Sequence, residues 1–139
     1  MTDEVIDLIN IPKERIAVLI GEKGIVKRRI EKLAGVKIGV DSENGEVSII
    51  RKTNGDLLAA LKAQDIIKAI ARGFSPQKAF KLTDPNVYLE IIDLTEYVPN
   101  KHLPRIKARL IGEKGKARTY ISDLTKADIS IFGKTVGII

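Results

Sequence analysis

Apolar positions along the chain follow two alternating rhythms, one of period two and one of period three to four. Val5–Asn10 reads as a short strand, and Pro12 opens a helix over Lys13–Ile20, where a missing N–H at the first turn costs nothing. Gly21 ends that helix, and Gly24 admits a tight re-entry into a second one, Ile25–Ala34. Its apolar residues Ile25, Val26, Ile30 and Leu33 keep helical spacing, and Gly35 closes it. Val36–Val40 alternates like a half-buried strand, Asn44-Gly45 signals a hairpin, and Val47–Arg51 is the returning strand. A long helix follows over Asp56–Arg72. Its stripe of Leu57, Ala60, Ala63, Ile67, Ile70 and Phe74 predicts one face packed on the sheet.

The order then repeats. LIGEKG occurs at Leu19–Gly24 and again at Leu110–Gly115, an offset of 91 residues that also pairs Ala17 with Ala108, Ile30 with Ile121, Leu33 with Leu124, Ile38 with Ile129 and Val40 with Ile131. Paired apolar positions at this spacing mark a duplication. The second copy predicts a strand over Val87–Asp93, helices over Leu103–Ile111 and Lys116–Leu124, and a hairpin of Ala127–Phe132 with Thr135–Ile139. No closing helix follows. An uncovered sheet face forgoes about 25 cal/mol per Å² of apolar burial. The sequence therefore implies a truncated form, or a further segment or chain over that face. Between the copies, Ser75-Pro76 looks like a capped helix start, and Asp84-Pro85-Asn86 ends the linker. The expected organisation is 1–74 as a first domain, 75–86 as a helical linker and 87–139 as a second domain. The class is α+β, each domain a three-stranded antiparallel sheet packed on helices.

Composition narrows the function. The 139 residues include no cysteine and one histidine, His102, so a disulfide framework and a Cys- or His-based metal cluster are excluded. No stretch approaches the roughly 20 apolar residues of a membrane span, and the acidic N-terminus lacks the features of a secretory signal. A cytoplasmic location is expected. There are no paired carboxylates and no Ser-His-Asp set, so neither enzyme chemistry nor a cofactor is expected. Gly133-Lys134-Thr135 resembles the end of a phosphate-binding loop, but Asp128 stands where that motif needs glycine and the tripeptide lies in a hairpin.

The net charge of +6 favours an anionic partner, and its distribution says more than its sum. Lys101, Arg105, Lys107, Arg109, Lys114, Lys116 and Arg118 face one acid, Glu113. Lys23, Lys27, Arg28, Arg29 and Lys32 contain only Glu31. Such runs are often plain solvated helix faces, but both surround the same tetrapeptide. Two helices meeting at GxxG present unpartnered N–H groups and the positive end of a dipole, and glycine allows a close backbone approach. Gly21-Glu22-Lys23-Gly24 and Gly112-Glu113-Lys114-Gly115 are thus candidate phosphate sites, with the lysines turned outward. Beside them, Ile20, Val36 and Ile38, and Ile111, Ala127 and Ile129, are candidate floors of an apolar groove for unstacked bases. Phe132 ends an apolar strand and is expected in the core rather than stacked on a base.

Leu-Ile-Gly-Glu-Lys-Gly followed by a basic helix and an apolar strand resembles the KH family, whose GXXG loop clamps about four nucleotides. The element order resembles the type I arrangement. The resemblance implies two type I KH modules, the second lacking its closing helix. It also implies that the backbones of Ile38 and Ile129 read base edges while Lys23, Lys114 and the loop glycines hold phosphates. The linker SPQKAFKL and the stretch RLIGEKGKARTYISDLTKADISIFGKTVGII resemble, more narrowly, the archaeal relatives of the partner-of-Nob (Dim) small-subunit assembly factors. That resemblance implies binding to small-subunit rRNA or its precursor near the 3′ end. It further implies work beside the Nob-type endonuclease and a link to the alpha subunit of initiation factor two. A KH protein of RNA decay or transcription, exosome-associated or antitermination in type, and a KH scaffold that binds protein remain as alternatives.

Overall fold

The structure, a computed structural model, describes residues 3–139. The first half runs β1 (Glu4–Asn10), α1 (Lys13–Ile20), α2 (Ile25–Ala34), β2 (Val36–Asp41), β3 (Glu46–Arg51) and α3 (Leu57–Ala71). A short linker helix, α4 (Pro76–Ala79), follows, and then β4 (Glu90–Asp93), α5 (Leu103–Ile111), α6 (Lys116–Thr125), β5 (Ile129–Phe132) and β6 (Thr135–Ile138). The strands form two antiparallel three-stranded sheets, ordered β1-β3-β2 and β4-β6-β5. In each, the strand after the GEKG-led helix lies at an edge, with its outer backbone groups free of any other strand.

The first half owns a closed core. Leu19, Ile30, Val36, Ile38, Val47, Ile49, Ala60, Ala63, Ile67 and Ile70 lie between the sheet and α1–α3. Asp56 caps α3 by accepting from Leu58 N–H at 2.9 Å. Leu57, expected in the buried stripe, is 45% exposed in the first turn of α3. Farther along, Ile66, Ala69 and Ala71 are buried as well, so the helix is enclosed on more than one face. The linker explains this: Ala79, Phe80 and Leu82 pack into the same core. Ser75 caps α4 through a 3.4 Å bond from Lys78 N–H, as its sequence suggests.

The second half is more open. Ile30 is fully buried, whereas its repeat mate Ile121 is 37% exposed, and neither α5 nor α6 contributes a fully buried side chain. No helix takes the place of α3 there among the described residues. The register pairs Ser130 with Gly137 and Phe132 with Thr135 on one face of the sheet. That face meets the end of α3 instead. Arg72 donates from Nε to Thr135 Oγ1 at 2.9 Å and from Nη2 to the Phe132 carbonyl at 3.0 Å, and Ser130 Oγ donates to the Arg72 carbonyl at 2.8 Å. Arg15 ties α1 to the same corner through the carbonyls of Ile70 (2.8 Å) and Phe74 (2.7 Å). Phe132 is therefore a junction residue, with the Arg72 and Arg15 guanidinium carbons 5.1 and 5.9 Å from its ring centre. Phe74 lies beyond the end of α3, after Gly73 (φ 102), and stays buried against Gly137.

Several boundaries differ from the sequence reading, those of β1, β2, β3 and β6 by one residue. β4 starts at Glu90 rather than Val87, because Val87 N–H closes a turn on the Asp84 carbonyl and Lys62 takes the Val87 carbonyl. β5 starts at Ile129 rather than Ala127, and α6 extends to Thr125. Lys126, the repeat mate of Gly35, closes α6 in the left-handed conformation (φ 62). A side chain there costs on the order of 1 kcal/mol, so Lys126→Gly is expected to raise stability by about that amount in urea denaturation.

Candidate nucleic-acid interface

The two GEKG corners have the same backbone. Gly21 and Gly112 lie at φ/ψ 75/172 and 74/172, Lys23 and Lys114 at 54/26 and 54/29, and Gly24 and Gly115 at 75/16 and 76/12. A non-glycine residue in the left-handed region is uncommon and costs roughly 1–2 kcal/mol, so both corners hold a strained lysine in one outward posture. Glu22, Lys23, Glu113 and Lys114 are all exposed.

The glycines divide their roles, which sequence reasoning did not resolve. A Cβ at Gly21 would stand 2.5 Å from Val26 Cγ2, and one at Gly112 would stand 2.6 Å from Ala117 N. The first glycine therefore lets the loop close on the protein's own next helix. The second lies under an arginine: within 4 Å a Cβ at Gly24, which is half-buried, would meet only the Arg28 guanidinium, and one at Gly115, which is buried, only that of Arg118. Arg28 and Arg118 thus lean over Gly24 and Gly115. Part of the expected amide array turns inward, since Gly24 N–H bonds the Gly21 carbonyl and Gly115 N–H that of Gly112, each at 3.1 Å. No side chain caps α2 or α6 at its start.

The residues expected to floor the two grooves are buried more deeply in the first half than in the second. Val36 and Ile38 are buried and Ile20 half-buried, while Ile111, Ala127 and Ile129 are all half-buried. Along the outer edge of β5 runs a cleft of about 300 Å³, lined by Arg118, Ile129, Ser130, Ile131 and Phe132, with Arg15, Ser75 and Lys78 on its far wall. The basic clusters also differ in how far their charges are engaged. Lys27 pairs with Glu31 at 3.5 Å, and the Arg29 guanidinium lies 4.0 Å from the Phe80 ring centre. Among the described residues, Lys114, Lys116 and Arg118 form no ion pair.

Comparison with known proteins agrees with this arrangement. Residues 88–139 match the family model for the second KH domain of PNO1, described as a eukaryotic-type KH domain, type I. The chain is 47% identical to the crystal structure of Dim2p from Pyrococcus horikoshii, with a TM-score of 0.89, covering 99% of this chain and 80% of that one. The chain belongs to the Dim2/PNO1 family of KH-domain proteins. It also matches a chain of the a/eIF2alpha–aDim2p–rRNA complex from the same organism, at 47% identity and a TM-score of 0.91, covering 99% and 76% of the two chains. A KH domain-containing protein of Methanocaldococcus jannaschii is 45% identical over 139 residues. The chain spans 61% of that protein's length. The fold of this Dim2/PNO1 chain is KH-like, with its two three-stranded sheets and their helices.

Residues outside the first reading matter here. Glu31 Oε2 accepts the Ile38 N–H at 2.9 Å, which occupies the edge group expected to read a base. The signal for it was the single acid in an otherwise basic helix. Its repeat mate is Ser122, whose Oγ donates to the Ala127 carbonyl at 2.5 Å.

Proposed function

We propose that this protein binds single-stranded RNA through two KH modules, residues 1–74 and 87–139, held by the ordered linker 75–86. The observation that carries the reading is the repeated corner: the same strained, exposed lysine and left-handed glycine stand beside an edge strand in both halves. Lys23, Gly24 and Arg28, and Lys114, Gly115, Lys116 and Arg118, take phosphates. The backbones at Ile38 and Ile129 face the bases over the apolar floors, and Gly21 and Gly112 shape the corners. No step in this reading makes or breaks a covalent bond.

The Dim2 likeness supports a role in ribosome assembly, on small-subunit rRNA near its 3′ end, in the cytoplasm. The rRNA-containing complex of a relative supports the RNA and the alpha subunit of initiation factor two as partners. The Nob-type endonuclease is the further partner expected of this family.

Binding of a labelled single-stranded RNA at two salt concentrations tests the first part. With about four phosphate contacts the logarithmic salt slope is roughly −3, so affinity falls by several tens of fold between about 50 and 200 mM salt. Salt-insensitive binding, or equal competition by duplex RNA, contradicts the reading. Crosslinking in native cells tests the second part. Recovery of small-subunit rRNA near the 3′ end supports it, and recovery mainly of messenger or nascent transcripts overturns it.

A further inference from the structure

The two copies share a loop but not an edge. In the first, the Glu31 carboxylate lies between α2 and β2. Its Oε2 accepts the Ile38 N–H at 2.9 Å while its Oε1 lies 3.5 Å from Lys27 Nζ. One side chain thus engages both the donor on the edge strand and a cation of the loop helix. In the second copy the same three positions are Ser122, Ile129 and Arg118. Ser122 turns to the Ala127 carbonyl, and Arg118 has no ion-pair partner among the described residues. Asp128 and Ile139 exchange both backbone bonds, at 2.9 and 3.0 Å. By the alternation of an antiparallel ladder, Ile129 then directs its N–H and C=O away from β6, to the outer edge of β5. That edge is the one bordered by the 300 Å³ cleft, which holds Arg118.

Resting on the RNA-binding reading, we propose that Glu31 is a built-in latch on the first groove. It stands in for the acceptor edge of a nucleobase at Ile38 and for a phosphate at Lys27, whereas the second groove offers Ile129 and Arg118 unoccupied. A carboxylate is a fitting substitute. It accepts hydrogen bonds as a base carbonyl or ring nitrogen does, its charge strengthens the bond, and its tether keeps it at high local concentration. A base entering the first groove must displace it and strip Lys27 of its partner. The second groove therefore reads bases first, and the first corner holds the strand through Lys23 and Arg28 alone.

The test uses the full chain carrying Lys114→Asp, which weakens the second corner, and a fluorescein-labelled mixed-sequence single-stranded RNA of about a dozen nucleotides. Adding Glu31→Ser, which copies the second groove, is expected to raise affinity at least fivefold. Glu43→Ser, an equal change of charge on the exposed hairpin, is expected to raise it less than twofold. Equal gains from the two variants overturn the latch. Two measurements stand apart from that series. Ile38 amide exchange is expected to accelerate at least tenfold in Glu31→Ser without RNA, and unchanged protection overturns the proposal. In the otherwise native chain, Ser122→Glu is expected to lower affinity at least fivefold and to slow Ile129 amide exchange, and no change in either contradicts it. If Lys114→Asp itself leaves binding intact, the RNA-binding reading fails. If it weakens binding but Glu31→Ser restores nothing beyond its control, only the latch fails.

Discussion

Lys114→Asp is expected to reduce affinity for single-stranded RNA roughly tenfold or more, less than the roughly hundredfold or greater gain of fully linked binding units because the corner is weakened and not removed. Lys23→Asp is expected to cost less. The substitution suits the site because Lys114 is exposed and sits at φ 54, a conformation that aspartate accepts more readily than most residues. Replacing Gly112 would confound the result, since any Cβ there meets the Ala117 amide at 2.6 Å and distorts the helix start. The loss should be uniform across RNA sequences, and the magnitude of the salt slope should fall by about one, as for a phosphate contact. Fluorescence anisotropy at several salt concentrations measures both. The repeat read as sequence leaves open which corner dominates. The pairing of Lys27 with Glu31 and the free Arg118 make them unequal.

The second large effect concerns the junction. Arg72→Ala removes two hydrogen bonds donated by a guanidinium, to Thr135 Oγ1 and the Phe132 carbonyl, and the cation beside the Phe132 ring. Bonds from charged groups contribute about 1.5–3 kcal/mol each, and since Arg72 is only half-buried the pair falls short of that sum, so a loss of about 2–4 kcal/mol is expected, concentrated in the second half. Burial pushes the Arg72 pKa down from its ordinary value, against the opposing pull of Asp93, yet a guanidinium remains a cation throughout the working range. The second half has little core of its own to fall back on, with α5 and α6 contributing no fully buried side chain. It should therefore unfold first. All three tyrosines, Tyr88, Tyr97 and Tyr120, lie from residue 88 onward, and the chain has no tryptophan. Tyrosine fluorescence then reports the second half while circular dichroism reports the whole. In urea the two transitions should separate for Arg72→Ala, and Arg72→Lys should not restore them, because an ammonium lacks the planar fork that reaches both acceptors. Coincident transitions at an unchanged midpoint contradict this account of the junction.

Much of the architecture was legible because it is local. Pro12, Gly21, Gly35, Asn44-Gly45 and Ser75-Pro76 act on their own neighbours, and their elements end within a residue or two of the expected places. The duplication fixed the second copy's order by analogy with the first. What escaped was set by distant partners. Phe132 looks like core by pattern, yet it belongs to the junction because Arg15 and Arg72 approach it from residues far away in the chain. Val87 has strand propensity, but Lys62 and Asp84 hold it in a turn. Lys126 takes a glycine's conformation that no local preference announces. At the interface, the GEKG corners and their lysines could be read directly. The separate duties of the two glycines, and the reach of Glu31 across to β2, depend on how helix and strand meet.

Amide resonances followed during titration with an unstructured oligoribonucleotide test the central claim most directly. The account predicts that Gly112–Gly115 and Ile129 shift first and furthest, with smaller movements at Gly21–Gly24. Saturating oligonucleotide that leaves both corners and Ile129 unmoved, or that shifts only residues remote from them, contradicts it.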